Sequence, residues 1–595
     1  MPVAAARSVV VRAAAMLAAG LASISVLLPA AAGADIPQQA LYASAPPTTL
    51  AALAHAAPVT AKHAMVVSAQ HLATEVGVRI LKEGGNAVDA AVAVGYALAV
   101  VHPCCGNVGG GGFMMIHLAD GRTVFLDFRE KAPLAARRDM YLDGHGNVIP
   151  GMSTKTYLGV GVPGTVMGLD TALARYGTMK LARVISPAIA LARDGYVLEP
   201  GDVKILDQRS ADFASQPNVA AIFLKDGKPY QAGDRLVQPQ LARTLERIEK
   251  GGTEAFYHGA IAHAVVDASE KNGGILTMND FAGYTVRWDR PVSCGYRGYT
   301  FVSDPPPSSG GTTICQILGI LKPYPLAKWG YGSVHSLHYF IEAERRAFAD
   351  RNSYLGDPAF VHNDLARLLS PAHLDALRAT IDPDKATPSS AIEGDLGSTE
   401  GTNTTSYSVV DAHGNAVAVT YTINYLFGNG RIAGDTGFFL NNEMDDFTSK
   451  PGVPNSFGLV QGESNAIQPG KRPLSSMAPS IVLHGHRLFM VTGSPGGSTI
   501  ISTTVESFLN VVAFGMNMQQ SVDAPRVHQQ WHPDLVFVEP GLLSPPVRER
   551  LEQMGYRFKE IPSWGADEAI LLNPKTHRLE GANDRRRPAG LAAGY

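Results

Sequence analysis

TNTTSYSVVD, Thr402 to Asp411, followed by AHGN and then AVAVTYTIN ending at Asn424, is the stretch on which the fold turns. Its β-branched and aromatic residues flank a short turn containing Gly414, the pattern of an antiparallel hairpin. If Asp411 and Asn415 close that turn, Thr404 falls opposite Thr422. The two-residue period of a strand then puts Thr420, Thr422 and Asn424 on one face and Val419, Tyr421 and Ile423 on the other. One face is apolar and buried, and the other carries hydroxyls and an amide around Thr404. A solvated face is the plain reading of such a set. The stretch upstream argues for more: Ala386 to Thr402 has almost nothing apolar to bury and reads as unstructured. A threonine hydroxyl is a weak nucleophile that needs a base, and a threonine at a free N-terminus carries one in its own α-amine. That amine has a pKa of roughly 7.7–8.0, against about 10.4 for lysine, so it is substantially neutral near pH 7.5. A linker ending at a strand-opening threonine is the arrangement of a chain that cuts itself there.

The rest of the chain bounds the function. Its 595 residues allow roughly four domains at most, taking about 150 residues for each. With 45% hydrophobic residues it can bury a large core, and a net charge of −3 argues against nucleic-acid or membrane-surface partners. Substrate charge must then be met by individually placed side chains. Four cysteines do not make a disulfide framework. A bridge between adjacent Cys104 and Cys105 reads as strained; Cys294 and Cys315 read equally well as a pair in an oxidising compartment or as buried thiols. Arg7 and Arg12, an apolar run from Ala13 to Leu28 and PAAAGA ending at Ala34 follow the order of a secretory signal peptide over residues 1–34. The Ala/Pro-rich residues 35–60 read as a tether. No later run is expected to span a membrane, since Ala87 to Val101 is short and contains Asp89.

Several motifs carry candidate chemistry. The spacing predicts a helix over Leu72 to Lys82, stopped by Gly84 and Gly85, and a second one capped by Asn86. Gly109 to Gly112 lack the Lys-Ser/Thr and the helix of a phosphate loop, so they read as a turn where backbone passes close to something. DFRE places Arg129 at a strand end. On the helix opened by Ser333, the residues His335, His338, Glu342 and Glu344 do not converge on a ligand set, and ion pairs with Arg345 and Arg346 are expected instead. Glu443, Asp445 and Asp446 repel one another unless a cation relieves them. Ser475 and Ser476 are adjacent hydroxyls. Gly496 and Gly497 precede a helix whose free N–H groups suit an oxyanion hole. A serine-hydrolase reading of Ser494 fails for lack of a G-x-S-x-G elbow.

TTSYSVVDAHGNAVAVTYTIN, NNEMDDF, PGVPN, KRPLSSMAPS and VTGSPGGS, in this order, closely resemble the γ-glutamyltransferases (γ-glutamyl transpeptidases, glutathione hydrolases), from about His63 to Tyr595. The resemblance implies an α/β (α+β) fold, the four-layer αββα N-terminal-nucleophile sandwich. It implies one precursor cut between Asn403 and Thr404 into a large subunit, 61–403, and a small catalytic subunit, 404–595, that stay together as a heterodimer. It implies Thr404 as nucleophile, Thr422 as its support, and Gly496 and Gly497 as the oxyanion hole. Arg129, Ser475 and Ser476 are implied to hold the substrate α-carboxylate, Asn424, Glu443 and Asp446 its α-ammonium, and Pro451 to Gly462 to form a lid. Neither metal nor cofactor is implied. Glutathione is the expected donor, amino acids, dipeptides or water the acceptors, and the periplasm or exterior the location. Two positions depart from the family's bacterial pattern: Ser406 stands where a histidine often follows the Thr-Thr pair, and Phe457 where a lid tyrosine commonly bonds the residue at Asn424. A cephalosporin (glutaryl) acylase shares the nucleophile but needs no α-amino pocket. An uncleaved periplasmic amino-acid-binding protein is the reading from a different class.

Self-cutting predicts that the purified protein runs as two bands on a denaturing gel, the smaller beginning Thr-Thr-Ser-Tyr-Ser, and that Thr404→Ala stays whole. An active protein that is continuous through Thr404 overturns the reading.

Overall fold

The computed structural model of the chain describes residues 53–392, 404–453 and 462–595. Two seven-stranded sheets carry the architecture. In chain order their strands are β1 (Val59–Ala61), β2 (Met65–Ser68), β3 (Gly111–His117), β4 (Thr123–Phe128), β5 (Arg287–Asp289), β6 (Val292–Tyr296) and β7 (Tyr299–Ser303), then β8 (Thr405–Val410), β9 (Ala416–Thr422), β10 (Ser480–His484), β11 (Arg487–Thr492), β12 (Glu568–Leu572), β13 (Leu579–Asn583) and β14 (Leu591–Gly594). One sheet runs β1-β13-β12-β11-β10-β7-β6 and the other β14-β2-β8-β9-β3-β4-β5. Every neighbouring pair is antiparallel.

The hairpin forms in the predicted register. Thr405 pairs with Tyr421 and Val410 with Ala416, and the Asp411 N–H donates to the Asn415 carbonyl at 3.0 Å. The period of two also holds. Tyr407, Val409, Val419 and Tyr421 pack into one core with helix α2 (Ala87–Val101), while Val410, Ala416 and Ala418 pack into the core that includes the second sheet. The plain reading of a solvated polar face does not hold, and every residue of β8 and β9 is buried. The hydroxyl face lies between the sheets, where Ser408 Oγ donates to the Glu568 carbonyl of β12 at 2.6 Å.

Helices close both outer faces. Next to α1 (His71–Lys82), α2 is buried along its whole length, as a helix apolar on every side but for Asp89 requires. Asn86 caps it in a reciprocal box with Asp89, whose carboxylate also accepts from Thr178 and Met179. On the far side lie α3 (Gly310–Leu321), α4 (Val334–Tyr354) and α5 (Thr499–Val512). No helix among the described residues is long and apolar enough to cross a membrane. On α4, Glu342 pairs with Arg346 at 2.6 Å and with Arg345 at 3.7 Å, as expected. His338 and Glu344 depart from that expectation: the His338 ring meets Tyr556, and Glu344 accepts from the Gln529 N–H.

One reading of the cysteines is revised and an open one is decided. Cys104 is bonded to Cys105 and Cys294 to Cys315. The second pair joins β6 to α3 across a Cα separation of 5.6 Å, an ordinary disulfide spacing. The stretch read as a tether is also docked at its end: Val59 and Thr60 pair in β1, and Asn517 and Gln520 bond the Ala56 and Leu53 carbonyls. The signal-peptide residues lie outside the described ones.

The glycine run serves backbone approach. A Cβ on Gly110 would sit 1.9 Å from the Thr422 carbonyl oxygen. Gly110→Ala is therefore expected to cost about 1–3 kcal/mol by overpacking in urea unfolding of an uncut Thr404→Ala chain. Gly144→Ala, with open space around it, should cost less than half as much.

Candidate active site

Thr404 sits at the open end of the hairpin, one residue before β8. Its Oγ1 donates toward Thr422 Oγ1 at 3.5 Å, and Thr422 Oγ1 also accepts from the Asn424 N–H at 2.8 Å. Asn424 has φ of +73°, a left-handed conformation that asparagine tolerates better than most residues, and its Nδ2 donates to the Asn442 carbonyl. This turn off the end of β9 swings the Asn424 amide back beside Thr422. The hydroxyl pair is nearly sealed, Thr404 being 7% exposed.

Arg129 follows β4 directly and is fully buried. Its backbone is held at both ends, the N–H by Asp127 and the carbonyl by the Tyr284 hydroxyl. Its guanidinium bonds Glu443 through Nη1 and Asp446 through Nη2, and Glu130 lies 3.6 Å away. The short helical turn Glu443–Asp446 splits the acidic cluster: Asp445 turns away and accepts from Ser153 Oγ at 2.5 Å. Burial opposes every one of these charges. It pulls the Arg129 guanidinium down, and the carboxylates of Glu443, Asp446 and Glu130 outweigh it and hold the group above its usual range. Burial pushes Glu443 and Asp446 up, and Arg129 draws them back. Glu130 is pushed up to about 8 by burial, with Arg129 opposing.

Ser475 and Ser476 face this group from a segment joined to the loop before α3. The Ser475 carbonyl accepts from Ser309 N–H at 2.8 Å, and Ser308 Oγ donates to the Met477 carbonyl. Gly496 and Gly497 have φ of +141° and +59°, conformations that side chains rarely adopt, and they bring the chain into the N-terminus of α5.

One pocket is lined by Thr404, Thr422, Arg129, Asn424, Glu443 and Asp446, with Ser475, Ser476 and Gly497 opposite. Gly496 adjoins it. The implied site residues are thus brought together from five separate stretches, save Asn403 and Phe457, which lie outside the described residues. Sequence reading missed Arg351, which lines the same pocket from α4, and Ser308 and Ser309, which brace the serine pair. No local signal marks them, because what they brace, Ser475 to Met477, stands over a hundred residues away in the chain.

Two antiparallel sheets packed between helical layers, with a threonine opening a central strand onto a pocket, define an N-terminal-nucleophile hydrolase. The gamma-glutamyltranspeptidase profile matches residues 73–594. A glutathione hydrolase proenzyme of Pseudomonas sp. (strain A14) is 54% identical over 548 residues, 91% of this chain and 95% of that protein. One of Escherichia coli (strain K12) is 48% identical over 540 residues, 90% and 93% of the two. Among solved structures, the cephalosporin acylase from Bacillus halodurans superposes with a TM-score of 0.79 at 26% identity, covering 90% of this chain and 97% of that one. The chain belongs to the gamma-glutamyltranspeptidase family.

Glu130 gives the site a pH signature. Its folded pKa of about 8 exceeds the ordinary 4.5, so the folded chain keeps a proton that the unfolded chain releases as pH rises between those values. Stability it contributes is complete below about pH 4.5 and is lost by about pH 8. Measured by urea unfolding of the uncut Thr404→Ala chain, Glu130→Gln should gain about 2–4 kcal/mol relative to Glu130 between pH 5 and 8. Parallel pH profiles would exclude this.

Proposed function

We propose that the chain is an autoprocessed γ-glutamyltransferase and glutathione hydrolase. The observation that carries this is the pocket itself: two guanidinium groups, two carboxylates and two serine hydroxyls share one cavity with Thr404. That set matches an amino-acid head, with an acceptor-only carboxylate at one end and a donor-only ammonium at the other.

In the uncut chain the Thr404 nitrogen is an amide and cannot act as a base. Thr404 Oγ attacks the Asn403 carbonyl carbon and the acyl group moves from N to O, which breaks the peptide bond and frees the amine; water then hydrolyses the ester, releasing the Asn403 carboxylate and restoring the Thr404 hydroxyl. Both sheets draw strands from before and after this point, and β8 lies between β2 and β9, so the two pieces remain interleaved after cutting. The freed amine then takes the proton of Thr404 Oγ as it attacks a γ-glutamyl carbonyl, with Thr422 fixing the hydroxyl. Gly496 and Gly497 N–H groups receive the oxyanion, each such donor being worth about 3–4 kcal/mol in comparable enzymes. The amine returns the proton to the leaving nitrogen. A γ-glutamyl ester remains on Thr404 until water or an acceptor amine resolves it. Arg129, Ser475 and Ser476 hold the α-carboxylate, and Asn424, Glu443 and Asp446 the α-ammonium. Phe457 lacks the hydroxyl a lid tyrosine would offer Asn424, a change that bears on the balance between transfer and hydrolysis.

A glutaryl acylase would leave Glu443 and Asp446 without an ammonium to meet, so their presence beside Thr404 favours the γ-glutamyl donor. A binding protein has no use for a nucleophile at a strand end. Two disulfides accord with export to an oxidising compartment, the periplasm or exterior.

γ-Glutamyl-p-nitroanilide should be turned over at least about 100-fold better than its glutaryl analogue, by release of p-nitroaniline. Arg129→Ala should be cut as the parent is and lose about 10²–10³-fold in kcat/KM for the γ-glutamyl donor. Unchanged turnover removes Arg129 from the site.

A further inference from the structure

Arg351 lies near the C-terminal end of α4, is 1% exposed, and lines the pocket. Its Nε donates to Ser309 Oγ at 3.0 Å, Nη1 to Asn352 Oδ1 at 2.9 Å and Nη2 to Ser476 Oγ at 3.0 Å. Guanidinium has donors only, so the Ser476 oxygen must accept from it, and the Ser476 proton is left to point elsewhere. Ser475 is set in the same sense, its oxygen accepting from the Met477 N–H at 3.0 Å. Two adjacent hydroxyls engaged from behind thus present protons to the pocket, and a carboxylate, which only accepts, is the group they suit. The second arm reinforces the first. Ser309 Oγ, receiving Arg351 Nε, passes its own proton to the Ser475 carbonyl at 2.7 Å. One guanidinium therefore fixes the hydroxyl of Ser476 and the backbone of Ser475.

Charge points the same way. Arg129 and Arg351 line the pocket together with Glu443 and Asp446, so both signs of charge are at hand for a head that carries one of each.

We propose that Arg351 is a positioning residue that holds Ser475 and Ser476 as paired donors and thereby sets the preference for donors with a free α-carboxylate. This rests on the γ-glutamyl reading above. The test compares γ-glutamyl-p-nitroanilide with the same compound amidated at its α-carboxyl, in parent, Arg351→Gln and Arg351→Lys, each first checked for cutting at Thr404. In Arg351→Gln, KM for the acid donor should rise about tenfold or more with kcat within about threefold. The ratio of kcat/KM between acid and amide donors should fall about tenfold. Adding Ser476→Ala to Arg351→Gln should lower that ratio by less than about twofold further, since the two act as one unit. A purely structural role would reduce yield or kcat and leave the ratio alone. Should Arg351→Gln fail to fold or cut, Arg351→Lys decides: an ammonium cannot span Ser309 and Ser476 in one plane, so the ratio should still fall at least about threefold. A parent that prefers the acid donor, with variants that keep its ratio, overturns the role of Arg351 alone. A parent with no preference overturns the γ-glutamyl reading and this inference with it.

Discussion

The backbone pairing of β8 with β9 is the constraint on which the site depends. It places Thr404 across from Thr422, and because strand side chains alternate, a slip of one residue would exchange every side chain between the two faces. Tyr421 would then point into the pocket and Thr422 into the helix layer. The slip is costly because both faces are buried: Tyr407, Val409, Val419 and Tyr421 pack against α2, and Val410, Ala416 and Ala418 against the other sheet. The pairing with β3 adds a second demand, since Gly111 lies opposite Thr422 and Gly110 passes within a Cβ radius of its carbonyl. Precision at the two hydroxyls is thus supplied by a core that has no chemistry of its own.

Electrostatics then decides what can occupy the pocket. Removing a charge from water costs several kcal/mol unless a partner meets it, and Arg129, Glu443 and Asp446 meet that cost by pairing with each other. The same rule governs the other buried arginines, as with Arg346 on Glu342 and Arg526 on Asp584. What distinguishes Arg129 is that its partners border an opening. In the proposed reaction the substrate head exchanges with them, its carboxylate taking the place of Glu443 and Asp446 on the guanidinium and its ammonium the place of Arg129 on the carboxylates. Affinity gained this way is a difference between two sets of ion pairs, so selectivity exceeds raw binding strength.

Local chemistry made much of this legible. Asn86 and Ser333 cap the helices they were expected to cap, because a cap needs only its own side chain and the next turn. The hairpin register followed from Asp411 and Asn415 and the alternation around them. Arg129, Glu443 and Ser475 were singled out on motif resemblance, and they converge. Contacts between distant segments are less legible. Polarity in one strand does not reveal that a second sheet lies over its hydroxyl face. The cysteines were left unpaired or in doubt because Cys294 and Cys315 are neighbours only once β6 lies along α3.

The sequence by itself determined the elements, the hairpin register and the types of residue that would serve an amino-acid substrate, since those follow from short-range periodicity and from ordered motifs. Only the tertiary structure decided that Asp445 turns to Ser153 while Glu443 and Asp446 turn to Arg129, and that Arg351 stands behind Ser476. The reason is that these side chains find their partners outside their own strand or helix. Each partner is whichever group the packing of distant segments leaves within 3 Å in a place that water cannot reach.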